Sequence, residues 1–301
     1  MTEARSQALR GHLAMLLFSA LVAGSFSLGS MAANHIAPAA LNSARFAIAA
    51  VIVGIAAVAS GALSRQNYRS YFTAPWRYFL LGAIFAGYFV LMFEGLKTAT
   101  PVSTAAVFTL TPLMSAFFAY FLLRQITSSH TALALAIGAI GAIWVIFRAD
   151  IAALLRFNIG KGEVIYFVGC VAHAVYTPLV RKLNRGEPAL VFTFGMLLAG
   201  FIVITIWAIG DIAETDWRAL PMIVWVTLIY ISVFASSMTF VLLQFSVLRL
   251  PAAKVMAYTY LTPTWVIVWE LLLGHGVPSV LVLGGIGLTI VALVMLLKDE
   301  G

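Results

Sequence analysis

The chain has 301 residues, of which 62% are hydrophobic and only 10% charged, and its mean hydropathy is +1.02. Soluble domains carry roughly 25% charged residues, so a water-soluble fold would leave much of this apolar surface bare, and lipid is the solvent that accommodates it. The formal charge of +7 belongs mostly to loops that orient helices, which leaves nucleic acid out as a partner, and the single cysteine, Cys170, excludes an internal disulfide and any CxxC metal or redox site.

In chain order, Arg5 and Arg10 precede an apolar stretch that is too long for a cleavable signal peptide and has no small-x-small cleavage site, so it is read as the first membrane helix. A helix needs about 20 apolar residues to cross the hydrocarbon. Windows of that length predict ten spans, at 12–31, 39–62, 76–97, 101–123, 129–148, 162–182, 189–209, 220–244, 251–273 and 277–297. Span one holds the glycine-flanked run Gly24-Ser25-Phe26-Ser27-Leu28-Gly29, read as close packing with Ser25 turned toward a cavity. Span two carries Arg45 near its start, read as a long basic chain reaching back to the surface. Span three presents Leu81, Phe85, Tyr88 and Met92 on one face, and span four presents Thr104, Phe108, Thr111 and Ser115. Pro112, Pro178 and Pro263 fall inside spans and are expected to kink them, freeing the carbonyls of Phe108, Ala174 and Thr259 to accept from a substrate ammonium group.

Span six places His173 near mid-depth, one turn from Tyr176 and Thr177. An ionisable group at that depth is a functional candidate, and the alternative is a neutral histidine bonded to a neighbouring helix. Span eight contributes Tyr230, Phe234, Ser237 and Gln244, and span nine a stripe of Lys254, Tyr258, Thr262, Trp265 and Trp269. Small and hydroxyl residues also pack helices together, but tyrosine and tryptophan in mid-span, outside the interfacial belts, favour a cavity wall. No HExxH, GxSxG, Walker A loop or paired mid-membrane aspartates occur, so neither an enzyme nor a metal site or cofactor is expected.

With the N-terminus inside, the inner segments hold eleven Lys or Arg, including Arg65, Arg69, Arg77, Arg124, Arg181, Lys182, Arg185 and Arg249, against five in the outer segments. Both termini are therefore expected in the cytoplasm. The halves 1–150 and 151–301 resemble each other: Pro101 and Pro251 open spans four and nine, Thr111-Pro112 recurs as Thr262-Pro263, and spans five and ten both carry glycines. Five spans is an odd number, so the second copy enters from the opposite side and the repeat is inverted.

On these residues the chain resembles the drug/metabolite transporter superfamily in its ten-helix EamA-type branch, and within it the YddG group of bacterial amino-acid exporters. Many members carry an acidic residue just after spans four and nine, where this chain has Arg124 and His275. The resemblance implies an all-α integral membrane fold of two inverted five-helix repeats in a bacterial inner membrane, with spans five and ten outside a central cavity. It also implies export of amino acids, aromatic and other apolar ones, by a monomer working by alternating access. Tyr88, His173, Tyr258, Thr262 and Trp265 are the expected substrate contacts, with Ser25, Phe108, Thr111, Tyr176 and Ser237 as further wall residues. Proton antiport through His173 and downhill uniport both remain open, as do a drug or nucleotide-sugar cargo and a membrane sensor or enzyme that moves nothing.

Overall fold

A computed structural model describes residues 3–64, 68–156, 158–276 and 278–298, so Arg65 of the charge count lies outside the described residues. Among them nine helices are long and apolar enough to cross a membrane: Ser6–Ala32, Pro38–Ala59, Trp76–Leu96, Pro101–Leu123, Ser129–Ile146, Lys161–Leu183, Ala189–Trp207, Met222–Val247 and Val280–Lys298. They are spans one to eight and ten. Span nine is the tenth crossing, and it is broken into Ala252–Ala257, a 3-10 turn at Tyr258–Leu261 and Thr262–Leu272.

Prolines set several starts, because a missing amide hydrogen is harmless in the first helical turn. Pro38 and Pro101 open their helices there, and Thr100 caps the second by accepting from the Ser103 amide at 3.3 Å. Span four is also broken: helix Pro101–Phe108 ends and helix Thr111–Leu123 begins with Pro112 in its first turn. Pro263 stands in the same place in the last piece of span nine. The two Thr-Pro pairs thus restart helices rather than kinking continuous ones, whereas Pro178 does lie inside the unbroken helix of span six.

Packing joins the two halves throughout. Span three runs along span six and span one along span eight, while spans two and seven, and five and ten, pair with each other. Exchanging the halves turns the three–six contact into the eight–one contact and leaves the other pairs unchanged. The broken spans cross head to tail: Ala252–Ala257 packs on Thr111–Leu123, and Thr262–Leu272 on Pro101–Phe108. This is the arrangement of two inverted five-helix repeats. Large apolar side chains such as Val51, Ile55, Phe117, Phe121 and Val291 stay exposed on the bundle's outside, where lipid is their solvent.

Small residues allow the closest helix approaches. A β-carbon at Gly82 in span three would lie 2.5 Å from the Gly200 amide nitrogen and 2.8 Å from the Met196 carbonyl oxygen of span seven. Both obstacles are backbone, so the helices must separate to admit a larger side chain. Gly82→Leu is therefore expected to abolish most of the folded, monodisperse protein in detergent. A monodisperse variant with an unchanged melting temperature would show that the spans do not approach this closely.

Candidate functional site

An aromatic cluster occupies the centre of the bundle. Span three sends Phe85, Tyr88, Phe89 and Met92 inward at helical spacing. The Phe85 ring stacks on Tyr176 at 4.2 Å between centroids and contacts Phe240 at 4.6 Å and His173 at 5.3 Å. His173 is further enclosed by Tyr88 at 4.6 Å and Phe108 at 5.3 Å. Between these rings, Ser25, Ala235 and Thr239 lies a cavity of about 10 Å³, enough for a single water at most. The bundle is closed around its centre.

Two polar atoms on this wall have no hydrogen-bond partner, His173 Nδ1 and Ser25 Oγ. Leaving a buried polar group unpaired costs about 1–3 kcal/mol, so both are placed to gain from a polar ligand. The tyrosine hydroxyls around the cavity have partners. Tyr88 and Tyr166 share a hydroxyl–hydroxyl bond at 2.9 Å, and Tyr176 donates to Met196 Sδ at 2.6 Å and accepts from Gln244 Nε2 at 3.1 Å.

Of the residues expected to form the site, Ser25, Tyr88, Phe108 and His173 line this cavity and Tyr176 lies directly behind it. The span nine stripe faces span one instead: Tyr258 bonds His12 Nδ1 at 3.1 Å, and Trp265 donates to Ser19 Oγ at 3.3 Å. At 1.5 Å per residue these contacts lie about 20 Å and about 9 Å along span one from Ser25, away from the wall of this cavity. Thr262 is buried with its hydroxyl unpartnered. Ser237 donates to Ser232 O at 2.7 Å and borders a hollow on the lipid face, away from the centre.

The proline-freed carbonyls are a correction to the sequence reading. Thr111 Oγ1 bonds Phe108 O, the Thr262 amide bonds Thr259 O, and Ser115 Oγ donates to Ala174 O at 3.4 Å. At the two helix breaks a hydroxyl or amide close in sequence folds back onto the carbonyl, and in the unbroken span six a hydroxyl of span four reaches Ala174 O, so each of the three already has a partner.

Arg45 is a second correction. It does not reach the surface; its side chain is fully buried. Its Nε donates to Ser236 Oγ at 2.5 Å, its Nη2 to Ala235 O at 2.9 Å and its Nη1 to Asn42 Oδ1 at 3.4 Å, while its guanidinium lies 3.5 Å above the Phe89 ring. The first two acceptors come from a π-helical segment, Val233–Met238, inside span eight. Such segments interrupt the normal ladder and recur at functional sites. None of the partners is acidic among the described residues. An arginine costs about 2.5–3.5 kcal/mol to insert at a helix centre; Arg45 lies in the first half of its helix, so the standing penalty is smaller but is still there. Asn42, three residues earlier on the same face, was the sequence signal for an inward-facing Arg45.

Further hollows flank the centre. One, of about 630 Å³, is an apolar groove between spans two and seven lined by residues such as Val51 and Phe201, and suits an acyl chain. Another of about 450 Å³ holds Ser103, Arg148, Glu270 and His275, with Glu270 Oε2 3.0 Å from His275 Nδ1. At the start of span three a buried ion pair joins Arg77 to Glu187 at 2.7 Å, and Arg77 also donates to Leu183 O at 2.5 Å. Burial pushes the Glu187 carboxyl up, but Arg77 and the Arg185 amide outweigh it and hold the group below the usual carboxylate range.

The EamA-like transporter family matches the chain twice, over residues 9–147 and 160–298. An uncharacterized transporter of Bacillus subtilis, YyaM, is 23% identical over 279 residues, which cover 91% of this chain and 90% of the relative. A crystal structure of a protein superposes with a TM-score of 0.72 at 21% identity, covering 97% of this chain and 96% of that one, and supports the fold alone.

Proposed function

The chain belongs to the EamA-like transporter family, and from that membership we propose that it exports amino acids with aromatic and other apolar side chains by alternating access. The halves 1–150 and 151–301 would rock about the central aromatic cluster, in a bacterial inner membrane, as a monomer with both termini in the cytoplasm. The observation that carries the reading is the ring of Phe85, Tyr88, Phe108 and His173 around a small closed cavity with two unpartnered polar atoms. Flat apolar walls suit a ring or branched side chain, and His173 Nδ1 and Ser25 Oγ offer bonds to a polar end. Spans four and nine, each broken at a Thr-Pro pair, are the elements suited to move. Tyr258 and Trp265 would border the cytoplasmic route.

The test is efflux from liposomes holding purified protein and a mixture of labelled amino acids. Export of phenylalanine or leucine well above empty liposomes is the expected result, and no efflux of any amino acid would sink the substrate class. His173→Ala is expected to lower kcat/KM about tenfold, the value of one hydrogen bond to a charged group. A variant with the wild-type response to a pH gradient would exclude a proton role for His173.

A further inference from the structure

We propose that Arg45 is the carboxylate-recognition residue of the central site, so that the cargo must carry an anionic group held beside the central cavity. The inference rests on the transport reading above and adds to it a specific residue and a required chemical group.

Three observations converge on it. The guanidinium is permanently charged, fully buried, and among the described residues bonded to a hydroxyl, a carbonyl and an amide oxygen. Phe89, on which it lies, and Ala235, whose carbonyl it holds, both line the central cavity. The cation is therefore one side chain away from the place where a substrate would sit. Its Nε and Nη2 groups, the edge that grips a carboxylate side-on, are the two turned to Ser236 and Ala235 of the π-helical segment.

A carboxylate entering past Phe89 would replace those two acceptors with its own oxygens. It would neutralise the buried charge, and no proton or covalent bond would change hands. Ser236 and the Ala235 carbonyl then serve as a stand-in that holds the guanidinium in place while the site is empty of cargo, and they belong to a π-helical segment of the kind that recurs at functional sites. The unpartnered His173 Nδ1 and Ser25 Oγ lie on other parts of the same wall, available to the ammonium group that an amino acid carries beside its carboxylate. The requirement also sets the cargo's charge: a zwitterion or a monoanion fits, and an amine without a carboxylate meets a cation it cannot neutralise.

Two measurements on the purified protein test this. Efflux from liposomes is compared for phenylalanine and for phenethylamine, which differ by the carboxylate, and heat stability is followed with phenylalanine, phenylpropionate and phenylpropionamide. Wild type is expected to move phenylalanine alone and to be stabilised by the two carboxylates but not by the amide. Arg45→Gln should cut phenylalanine transport by at least ~30-fold and lose the carboxylate stabilisation, while Arg45→Lys, which keeps the charge without the fork, should retain part of both. Equal transport of both solutes by wild type, or carboxylate stabilisation that persists in Arg45→Gln, overturns the inference. If phenylpropionate stabilises the protein through Arg45 while no amino acid moves, the inference stands and the amino-acid reading falls. If no carboxylate stabilises wild type, Arg45 is a structural residue and the inference fails, whatever the transport assay gives.

Discussion

Phe85→Ala is expected to leave the fold intact and lower the unfolding free energy by about 2–3 kcal/mol, from the cavity left where roughly 100 Å³ of ring is removed. Phe85 is the hub of the aromatic cluster, packed on Tyr176, Phe240, Phe89 and His173 at centroid distances of 4.2, 4.6, 5.0 and 5.3 Å. Lipid surrounds the unfolded helices as well as the bundle, so little of this loss is a water-transfer term; it is lost ring contact. The same substitution opens the wall of a cavity of about 10 Å³. Competition for phenylalanine efflux should therefore shift toward bulkier apolar solutes, with the KM for phenylalanine rising about tenfold as one ring contact worth about 1.5 kcal/mol disappears. An unchanged melting temperature together with an unchanged size preference would place Phe85 outside both the core and the site.

Glu187→Ala is expected to be more damaging still. Arg77 and Glu187 have side chains 1% and 3% exposed, and Arg77 fastens the start of span three to the end of span six through Leu183 O. Removing one member of a buried pair leaves the other charge uncompensated and costs about 3–5 kcal/mol. The double variant Arg77→Met/Glu187→Ala should recover most of that loss, since no charge then remains buried. The pH dependence follows from the lowered Glu187 carboxyl. Its stabilisation is fully present above the ordinary carboxylate range and is lost as pH falls through the lower folded value. Melting temperatures of wild type and Glu187→Ala should therefore differ widely at neutral pH and converge in acid. A gap that persisted at low pH would mean that the pair contributes through packing rather than charge.

Much of the fold was legible in the chain. Ten apolar runs, the repeated Thr-Pro pairs and the paired glycine-bearing spans foretold the number of crossings and the relation between halves. The family match in two copies agrees with that repeat. The site was legible only in part. His173, Tyr88, Phe108 and Ser25 could be picked out because polar or aromatic side chains in mid-span are costly to waste on lipid. The polar stripe of span nine turns toward His12 and Ser19 of span one rather than into the central cavity. Periodicity shows that residues share a face, and rotation of the helix against its neighbours decides what that face meets.

Sequence alone determined the solvent and the class of fold, because hydrocarbon tolerates only helices or closed barrels that satisfy their own backbone, and runs of this length and apolarity form helices. Only the tertiary structure decided the fate of Arg45. Whether a basic side chain near a helix end reaches water or turns inward depends on what the adjoining helix offers. Here a π-helical stretch of span eight supplies a hydroxyl and a carbonyl at the right height. That supply arises from a partner 190 residues away in the chain; Asn42 nearby marks the inward face but does not encode what the other helix offers there.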